Sequence, residues 1–234
     1  MEQQRTRSTT VRVRIALDVI CVHSYLGYTR FTRAAERLRA DGHRIQVEFL
    51  PFELAPGAGT EGEPLLPVLE RVFGPQAVRG TLQFAGQVAA EGLELHYERA
   101  VATGTFEAHR LIARAARQGR AEAMVERLFR AHFTDGLHIG DPATLARLAG
   151  EAGVTTGDSG PGTADTAPGI AAETIEATTG ETERLHTELD RVRGLGVTGV
   201  PVFFIDGVQP LTGSHSEAEL LSALREAARS ASDG

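Results

Sequence analysis

The sequence predicts an α/β fold, in which a β–α–β unit at the beginning and a helix–hairpin–helix unit at the end flank a long helical segment. Two observations support this prediction. Near the N-terminus, two segments alternate apolar and polar residues and are separated by a helical pattern. Near the C-terminus, a short and very apolar segment runs into an Asp-Gly turn signal.

The β–α–β unit is predicted from residues 11–49. Val11–Ile20 alternates at its start and is apolar at its end, which predicts a strand that becomes buried. Apolar residues recur at helical spacing over Ser24–Ala40, and Asp41-Gly42 ends that helix. Arg44–Phe49 alternates again and predicts a second strand, parallel to the first.

The middle of the chain, from about Pro64 to Ala152, is predicted to be helical. Asp141-Pro142 is a good helix start, with Asp as the cap and Pro in the first turn. The Gly- and Thr-rich run over 154–169 predicts a flexible loop, and a further helix should follow it up to Arg193. The three clearest helices are Phe106–Arg117, Ala121–Phe133 and Pro142–Ala149.

The last segment predicts a hairpin and a closing helix. Pro201–Ile205 and Val208–Leu211 are its two strands, and Ser214–Arg229 is an amphipathic helix that Ser214 would cap, with Glu217 completing a capping box. We therefore expect one α/β domain from residues 11–63 and 195–231, with an all-helical insertion over 64–194.

Composition and charge argue against several classes of partner and binding site. The formal net charge of -7 argues against nucleic acid or an anionic membrane as the main partner. The single cysteine excludes an internal disulfide and favours a reducing compartment. The N-terminal region has no apolar run long enough for a signal peptide, so a cytoplasmic location is expected. No His, Asp or Glu cluster has metal-ligand spacing, so no metal site is predicted.

Cys21-Val22-His23-Ser24 is the candidate catalytic motif, since it lies where the first strand ends and the first helix begins. Unsatisfied N–H groups and the helix dipole favour a thiolate there, so we predict that the pKa of Cys21 is below its free value. Ser24 would turn its hydroxyl toward the sulfur, and His23 would add positive charge. Taken alone, a single cysteine after an apolar strand is more often a buried core residue.

The run from Asp18 to Gly27 resembles the active-site stretch of the DsbA family, in its FrnE-like branch, which has a thioredoxin fold with a helical insertion. Ser24-Tyr25-Leu26 is more similar to the related kappa-class glutathione transferases and 2-hydroxychromene-2-carboxylate isomerases. Cys21 matches the nucleophile position in all of them. The other similar segments are Phe49–Pro56, Thr105–Leu111, Leu128–Phe133 and Gly196–Gly207.

The resemblance implies a substrate site around a cis-proline loop. Val200-Pro201 would be cis and face Cys21, with the backbone of Val200 pairing with an extended substrate. Without the resemblance, a trans proline at the start of a strand is the expected state. Tyr25 and Phe52 are further substrate-contact candidates. His109 and Arg110 are as well, although residue frequencies favour a solvated or interdomain pair.

The second cysteine usual in the family is replaced by Ser24, so this chain alone cannot act as a dithiol oxidase. We predict a single-thiol oxidoreductase or isomerase. The alternatives are a glutathione-transferase-like or hydroxychromene-carboxylate-isomerase-like enzyme and a non-catalytic binding module. No covalently bound cofactor is expected, and glutathione or another small thiol is the expected cosubstrate. The resemblance also suggests polyketide metabolism, and the sequence leaves a homodimer open.

Overall fold

The computed structural model describes residues 8–155 and 179–231. The chain divides into two compact units. The first contains the described residues up to Phe52 and those from Glu188 onward, and the second contains the residues from Glu53 to Thr187. The predicted domain boundaries at 63/64 and 194/195 stay a prediction.

The first unit is built on a mixed four-stranded sheet with the order β2-β1-β5-β6. β1 and β2 are parallel, as predicted, while β5 runs antiparallel to both β1 and β6. Helix α1 packs against α8. The elements are β1 (Thr10–Leu17), α1 (Val22–Ala40), β2 (Arg44–Pro51), β5 (Val202–Ile205), β6 (Leu211–Thr212) and α8 (Glu217–Ser230).

The alternation in β1 fills the core on both faces of this sheet. On one face, Ile15 lies beside Phe203, which stacks on Phe31 of α1 with ring centroids 5.8 Å apart. On the other face, Ala16 lies beside Val202. Full burial of such side chains contributes about 1.5–3 kcal/mol each, so the sheet holds the end of β1 firmly in place. That second face carries a buried apolar cluster of Ala16, Leu50, Phe52, Val192, Val197 and Val202.

The second unit is mainly helical. Its core is formed by α4 and α5, whose largest buried side chains include Leu111, Met124 and Phe129. A two-stranded sheet of β3 and β4, which the sequence did not predict, pairs Glu63 with Ala102. The elements are β3 (Glu63–Pro64), α2 (Leu65–Phe73), α3 (Pro75–Val88), a 3-10 turn (Ala89–Glu91), β4 (Val101–Ala102), α4 (Phe106–Arg117), α5 (Ala121–Phe133), α6 (Pro142–Glu151) and α7 (Thr179–Gly194), which ends in the first unit.

The α/β fold with a helical insertion is confirmed, and α4 and α5 have the predicted bounds. Asp141 caps α6 through a 2.7 Å bond from the Thr144 N–H. The predicted cap of α8 is wrong, because Ser216 and Glu219 form the capping box there. The predicted loop over 154–169 lies outside the described residues, apart from its first two. Within the described part of the chain, no helix has the length and apolar character needed to cross a membrane.

Candidate active site

Cys21 occupies the N-cap position of α1, at the end of the stretch that leads out of β1. Its backbone is extended (φ -90°, ψ 112°), and its N–H donates to Asp18 O at 3.0 Å. Its own carbonyl accepts the Tyr25 N–H at 3.0 Å, which begins the helix. The sulfur is therefore held at the start of the helix, where N–H groups without a partner inside the helix converge.

The loop before β5 lies against this sulfur. The Val200-Pro201 peptide bond is cis, and the Cys21 thiol donates to Val200 O over 3.5 Å. Pro201 O in turn accepts the Gly213 N–H at 2.8 Å, which ties the loop to the end of β6. Cys21, Val200 and Pro201, which the sequence analysis singled out from distant parts of the chain, are thus brought together.

Gly27 makes this approach between helix and loop feasible, and the sequence analysis did not single it out as a site residue. A Cβ atom on Gly27 would lie 3.0 Å from Pro201 Cγ and 3.3 Å from Phe203 Cζ. Those distances are tighter than ordinary contacts, so a side chain there would push the loop or the helix. The available signal was a glycine inside an otherwise regular helical pattern, which often marks close packing.

Burial raises the pKa of the Cys21 thiol above its ordinary value of 9.0. The Ser24 hydroxyl and the backbone N–H groups of Ser24 and His23 oppose this effect, while the negative charge of Asp18 adds to it. Only 7% of Cys21 is exposed, and desolvation penalises the thiolate. The prediction of a lowered Cys21 pKa is therefore wrong for the protein without substrate. It considered the position of the thiol at the start of the helix but not the burial of the thiol.

Ser24 and His23 occupy very different environments. Ser24 is fully buried, and its hydroxyl lies beside the Cys21 sulfur, where it favours the thiolate. His23 is exposed, and what it contributes to the thiolate is its backbone N–H. The expected contribution of a positive imidazole beside the sulfur stays a prediction.

Two other candidate residues belong to the first unit. Tyr25 follows Cys21 on α1 and is 8% exposed. Phe52 belongs to the apolar cluster on the second face of the sheet, against which Val200 is packed. Both side chains are buried, and only Phe52 shares a cluster with the cis-proline loop. The contact of either residue with a substrate stays a prediction.

His109 and Arg110 lie on α4 in the second unit, and both are buried. They are therefore not the solvated pair that residue frequencies favour, while the interdomain alternative and a role in substrate binding stay predictions. The Arg110 guanidinium donates to Glu107 at 2.8 Å and to Glu181 at 3.3 Å. Its charge is thus already engaged within the unit.

Glu181 also forms ion pairs with two further arginines on the same face of α4. Arg114 donates to it at 2.8 Å, and Arg117 also pairs with it. Burial alone would raise the pKa of Glu181, but the hydrogen bonds and charges of Arg114 and Arg117 outweigh it and lower the pKa to about 2. This residue could not be recognised from the sequence, because its partners lie on a helix more than 60 residues away.

Among the described residues, no group of three or more His, Cys, Asp or Glu side chains is placed to hold a metal ion. The described chemistry of this site is therefore that of one thiol, one hydroxyl and backbone amides. These groups can take part in thiol exchange or hold a bound thiol by hydrogen bonds.

Comparison with known proteins identifies the family and the fold of this chain. Residues 12–225 match the DSBA-like thioredoxin domain family. A structure of a probable DsbA oxidoreductase from Streptomyces coelicolor is 28% identical, with a TM-score of 0.75, covering 93% of this chain and 89% of that one. No curated protein matches the chain.

Two more distant structures share the fold. A 2-hydroxychromene-2-carboxylate isomerase is 18% identical, with a TM-score of 0.64, and covers 95% of this chain and 98% of that one. The cytosolic disulfide reductase DsbM from Pseudomonas aeruginosa, solved with GSH, is 20% identical, with a TM-score of 0.53 and the same coverage of both chains. At these identities the likeness shows the fold alone.

Proposed function

We propose, from the premise that the chain belongs to the DSBA-like thioredoxin domain family, that it exchanges thiols and disulfides through Cys21 alone, with a second thiol supplied from solution. The observation that supports this most is the position of the Cys21 sulfur, which lies at the start of α1 and 3.5 Å from the carbonyl oxygen of Val200 in the cis-proline loop. Ser24 stands where a resolving cysteine would be needed.

The proposed reaction has two exchange steps. First, the Cys21 thiolate attacks one sulfur of a disulfide RS–SR′, so that a Cys21–SR bond forms, the S–S bond breaks and R′S⁻ leaves with its electron pair. Next, a small thiolate R″S⁻ attacks the SR sulfur and releases RS–SR″ and the Cys21 thiolate. The net result is RS–SR′ + R″S⁻ giving RS–SR″ + R′S⁻, without a gain or loss of electrons overall.

The resting protein holds Cys21 as a neutral thiol that donates to Val200 O. The first step therefore needs a proton to leave the sulfur before or as the disulfide arrives. The backbone N–H groups of His23 and Ser24 and the Ser24 hydroxyl are the groups that favour the resulting thiolate. We infer that exchange by the isolated protein is slow at neutral pH and accelerates at alkaline pH.

Substrate recognition is proposed to centre on Val200 and Pro201. An extended thiol peptide would align with the Val200 backbone, as in strand addition, so that its sulfur meets Cys21. Tyr25 and Phe52 would shape this pocket from the first unit. A substrate contact of His109 or Arg110 stays a prediction.

Intact mass measurement after incubation with oxidised glutathione tests the proposal. We expect wild type to gain one glutathionyl group at pH 9 and to lose it when reduced glutathione is added. Cys21→Ser is the matched control and should gain none. A wild-type protein that stays unmodified at alkaline pH would contradict the exchange mechanism and leave two alternatives, an enzyme that binds its thiol non-covalently and a binding module.

A second function is favoured by the raised pKa of Cys21. A protonated thiol can donate a hydrogen bond to a thiolate that belongs to a bound cosubstrate, as a serine hydroxyl would. The protein would then resemble glutathione-transferase-like or hydroxychromene-carboxylate-isomerase-like enzymes. Under this function Cys21→Ser should bind glutathione as tightly as wild type in calorimetry, whereas the exchange mechanism predicts that this variant is inactive.

We also propose that the protein acts in the cytoplasm, because a single unpaired thiol suits a reducing compartment. A context in polyketide metabolism rests on the resemblance alone and stays a prediction. Fractionation of the native host, followed by blotting for the protein, would test the location, and recovery in an extracytoplasmic fraction would contradict it.

A further inference from the structure

Strand β2 lies at the edge of the first unit's sheet. Among the described residues its strand partner is β1, and its other side faces away from the sheet. Side chains alternate along it, with Arg44, Gln46 and Glu48 exposed and Ile45 half-buried. No strand of the described residues pairs with the outer side of this eight-residue edge, so its outward backbone groups are a ready template for pairing with another strand.

The hydrogen bonds at the two ends of β2 identify the backbone groups that face the open side. The Arg44 N–H donates to Thr9 O at 2.8 Å, and the Phe52 N–H donates to Leu17 O at 3.1 Å. Even-numbered residues of this strand therefore point their N–H and C=O groups toward β1. Because these groups alternate along a strand, those of residues 45, 47 and 49 point outward.

These outward groups suit a second copy of the same strand in antiparallel orientation. If a two-fold axis passes beside Gln46, Ile45 lies opposite the partner's Val47 and exchanges two backbone hydrogen bonds with it, and symmetry repeats the pair. In the same register Arg44 lies opposite the partner's Glu48, so two pairs of opposite charges form.

Neighbouring registers do not give this match. Moving the axis to Val47 places Arg44 opposite the partner's Leu50, and moving it to Glu48 places like charges opposite each other. If the charges on this edge strand served only to prevent association, charges of one sign would be expected, because like charges repel a second copy. The order Arg44, Gln46, Glu48 instead places opposite charges symmetrically about an uncharged centre.

We propose that two copies of this chain associate through β2, in the register centred on Gln46, and form one continuous eight-stranded sheet. The four strands of each copy meet across the two-fold axis. The half-buried Ile45 and Val47 contact their counterparts on one face, and the charged pairs lie on the other. This association does not depend on the chemistry of Cys21, so it stands apart from the proposed function.

Sedimentation velocity at low ionic strength, over a wide range of concentration, tests this association. Wild type should be a reversible dimer. Arg44→Glu and Glu48→Arg each place two like-charged pairs in the interface, so each should raise the dimer dissociation constant on the order of tenfold or more. Glu36→Arg, an exposed charge reversal on α1, is the matched control and should dimerise as wild type does.

Two rescue experiments identify the register. The double variant R44E/E48R restores opposite charges and should dimerise as wild type does. A mixture of the two single variants should form a heterodimer, because each new glutamate then lies opposite an arginine and each new arginine opposite a glutamate. A wild type that stays monomeric throughout, or reversals that neither weaken the dimer nor rescue each other, would overturn the proposal. Circular dichroism would verify that every variant is folded.

Discussion

Cys21 in the first unit and Glu181 in the second are both weak acids with little exposure, 7% and 8% respectively. Nevertheless, the thiol of Cys21 is neutral and the carboxylate of Glu181 is negatively charged. Burial opposes ionisation in both. For Cys21 burial prevails, and its pKa is raised. For Glu181 the guanidinium groups of Arg114 and Arg117 prevail, and its pKa falls to about 2. Whether a buried acid is ionised therefore depends on whether a positively charged group lies next to it.

This difference separates two uses of a buried acid. The second unit uses a permanent charge as a structural tie, since Glu181 joins the beginning of α7 to one face of α4. The first unit surrounds its thiol with a hydroxyl, backbone amides and the negative Asp18. Burial is the largest effect on the Cys21 pKa, so the sulfur stays neutral at rest. This is consistent with the proposed exchange, in which the thiol ionises when a disulfide arrives.

The largest expected effect comes from breaking the tie in the second unit. Glu181→Gln leaves the arginines around it without their shared carboxylate. Because two of these, Arg110 and Arg114, are largely buried, the loss should be about 3 kcal/mol in the free energy of unfolding. Urea unfolding at pH 7 measures it. Glu183→Gln changes an exposed residue on the same helix and is the matched control. A loss no greater than that of the control would contradict the structural tie.

Acid should weaken the second unit through the same residue. The folded-state pKa of Glu181 is about 2, below its ordinary value of 4.5. Its contribution is therefore fully present above about pH 4.5 and is lost as the pH falls toward 2, by about 1.4 kcal/mol per pH unit. We expect the difference in unfolding free energy between wild type and Glu181→Gln to shrink over this range. A difference that stays constant with pH would show that Glu181 does not titrate as described.

Much of this fold follows from local sequence patterns. Apolar spacing placed α4 and α5 correctly, and the Asp141-Pro142 start placed α6. The cap of α8 shows where local patterns fail, because Ser214 and Ser216 each have a glutamate three residues later. The structure uses Ser216, while the Ser214 carbonyl accepts from Arg30 of α1 at 2.9 Å. That choice depends on tertiary contacts that the local sequence does not contain.

The candidate site divides in the same way. The Cys21 motif and the Val200-Pro201 loop were recognisable through their resemblance to a known family, since the residues alone favour a core cysteine and a trans proline. The charge state of Cys21 and the tie at Glu181 were not, since both depend on side chains distant in sequence and on exclusion of water. Gly27 is an intermediate case. The sequence shows a glycine within the helix, but it does not show how close Pro201 approaches.

A smaller effect is expected from filling the space at Gly27. Gly27→Ala should destabilise the first unit by about 1–3 kcal/mol, since the new methyl group would lie 3.0 Å from Pro201 Cγ. Gly86→Ala on α3 is the matched control, because nothing lies within 4 Å of a Cβ there and alanine favours a helix. It should stabilise by up to about 1 kcal/mol. Thermal unfolding of both variants compares them, and equal shifts would contradict the close approach.

The smallest effects concern the titration of Cys21, followed as the rate of alkylation by iodoacetamide against pH. The midpoint for wild type should lie above 9.0, with less than about 1% thiolate at pH 7. Ser24→Ala removes a group that favours the thiolate and should raise the midpoint further. Asp18→Asn removes an unfavourable charge and should lower it.

His23→Ala tests whether the imidazole or the backbone N–H of His23 acts on the pKa of Cys21. Its side chain is exposed, and its contribution to the Cys21 pKa comes from the backbone N–H, which alanine retains. We therefore expect an unchanged midpoint. A clear rise in this variant would show that a positive imidazole stabilises the thiolate after all, and Cys21 would then be, like Glu181, a buried acid accompanied by a cation. A wild-type midpoint below 9.0 would contradict the dominance of burial directly.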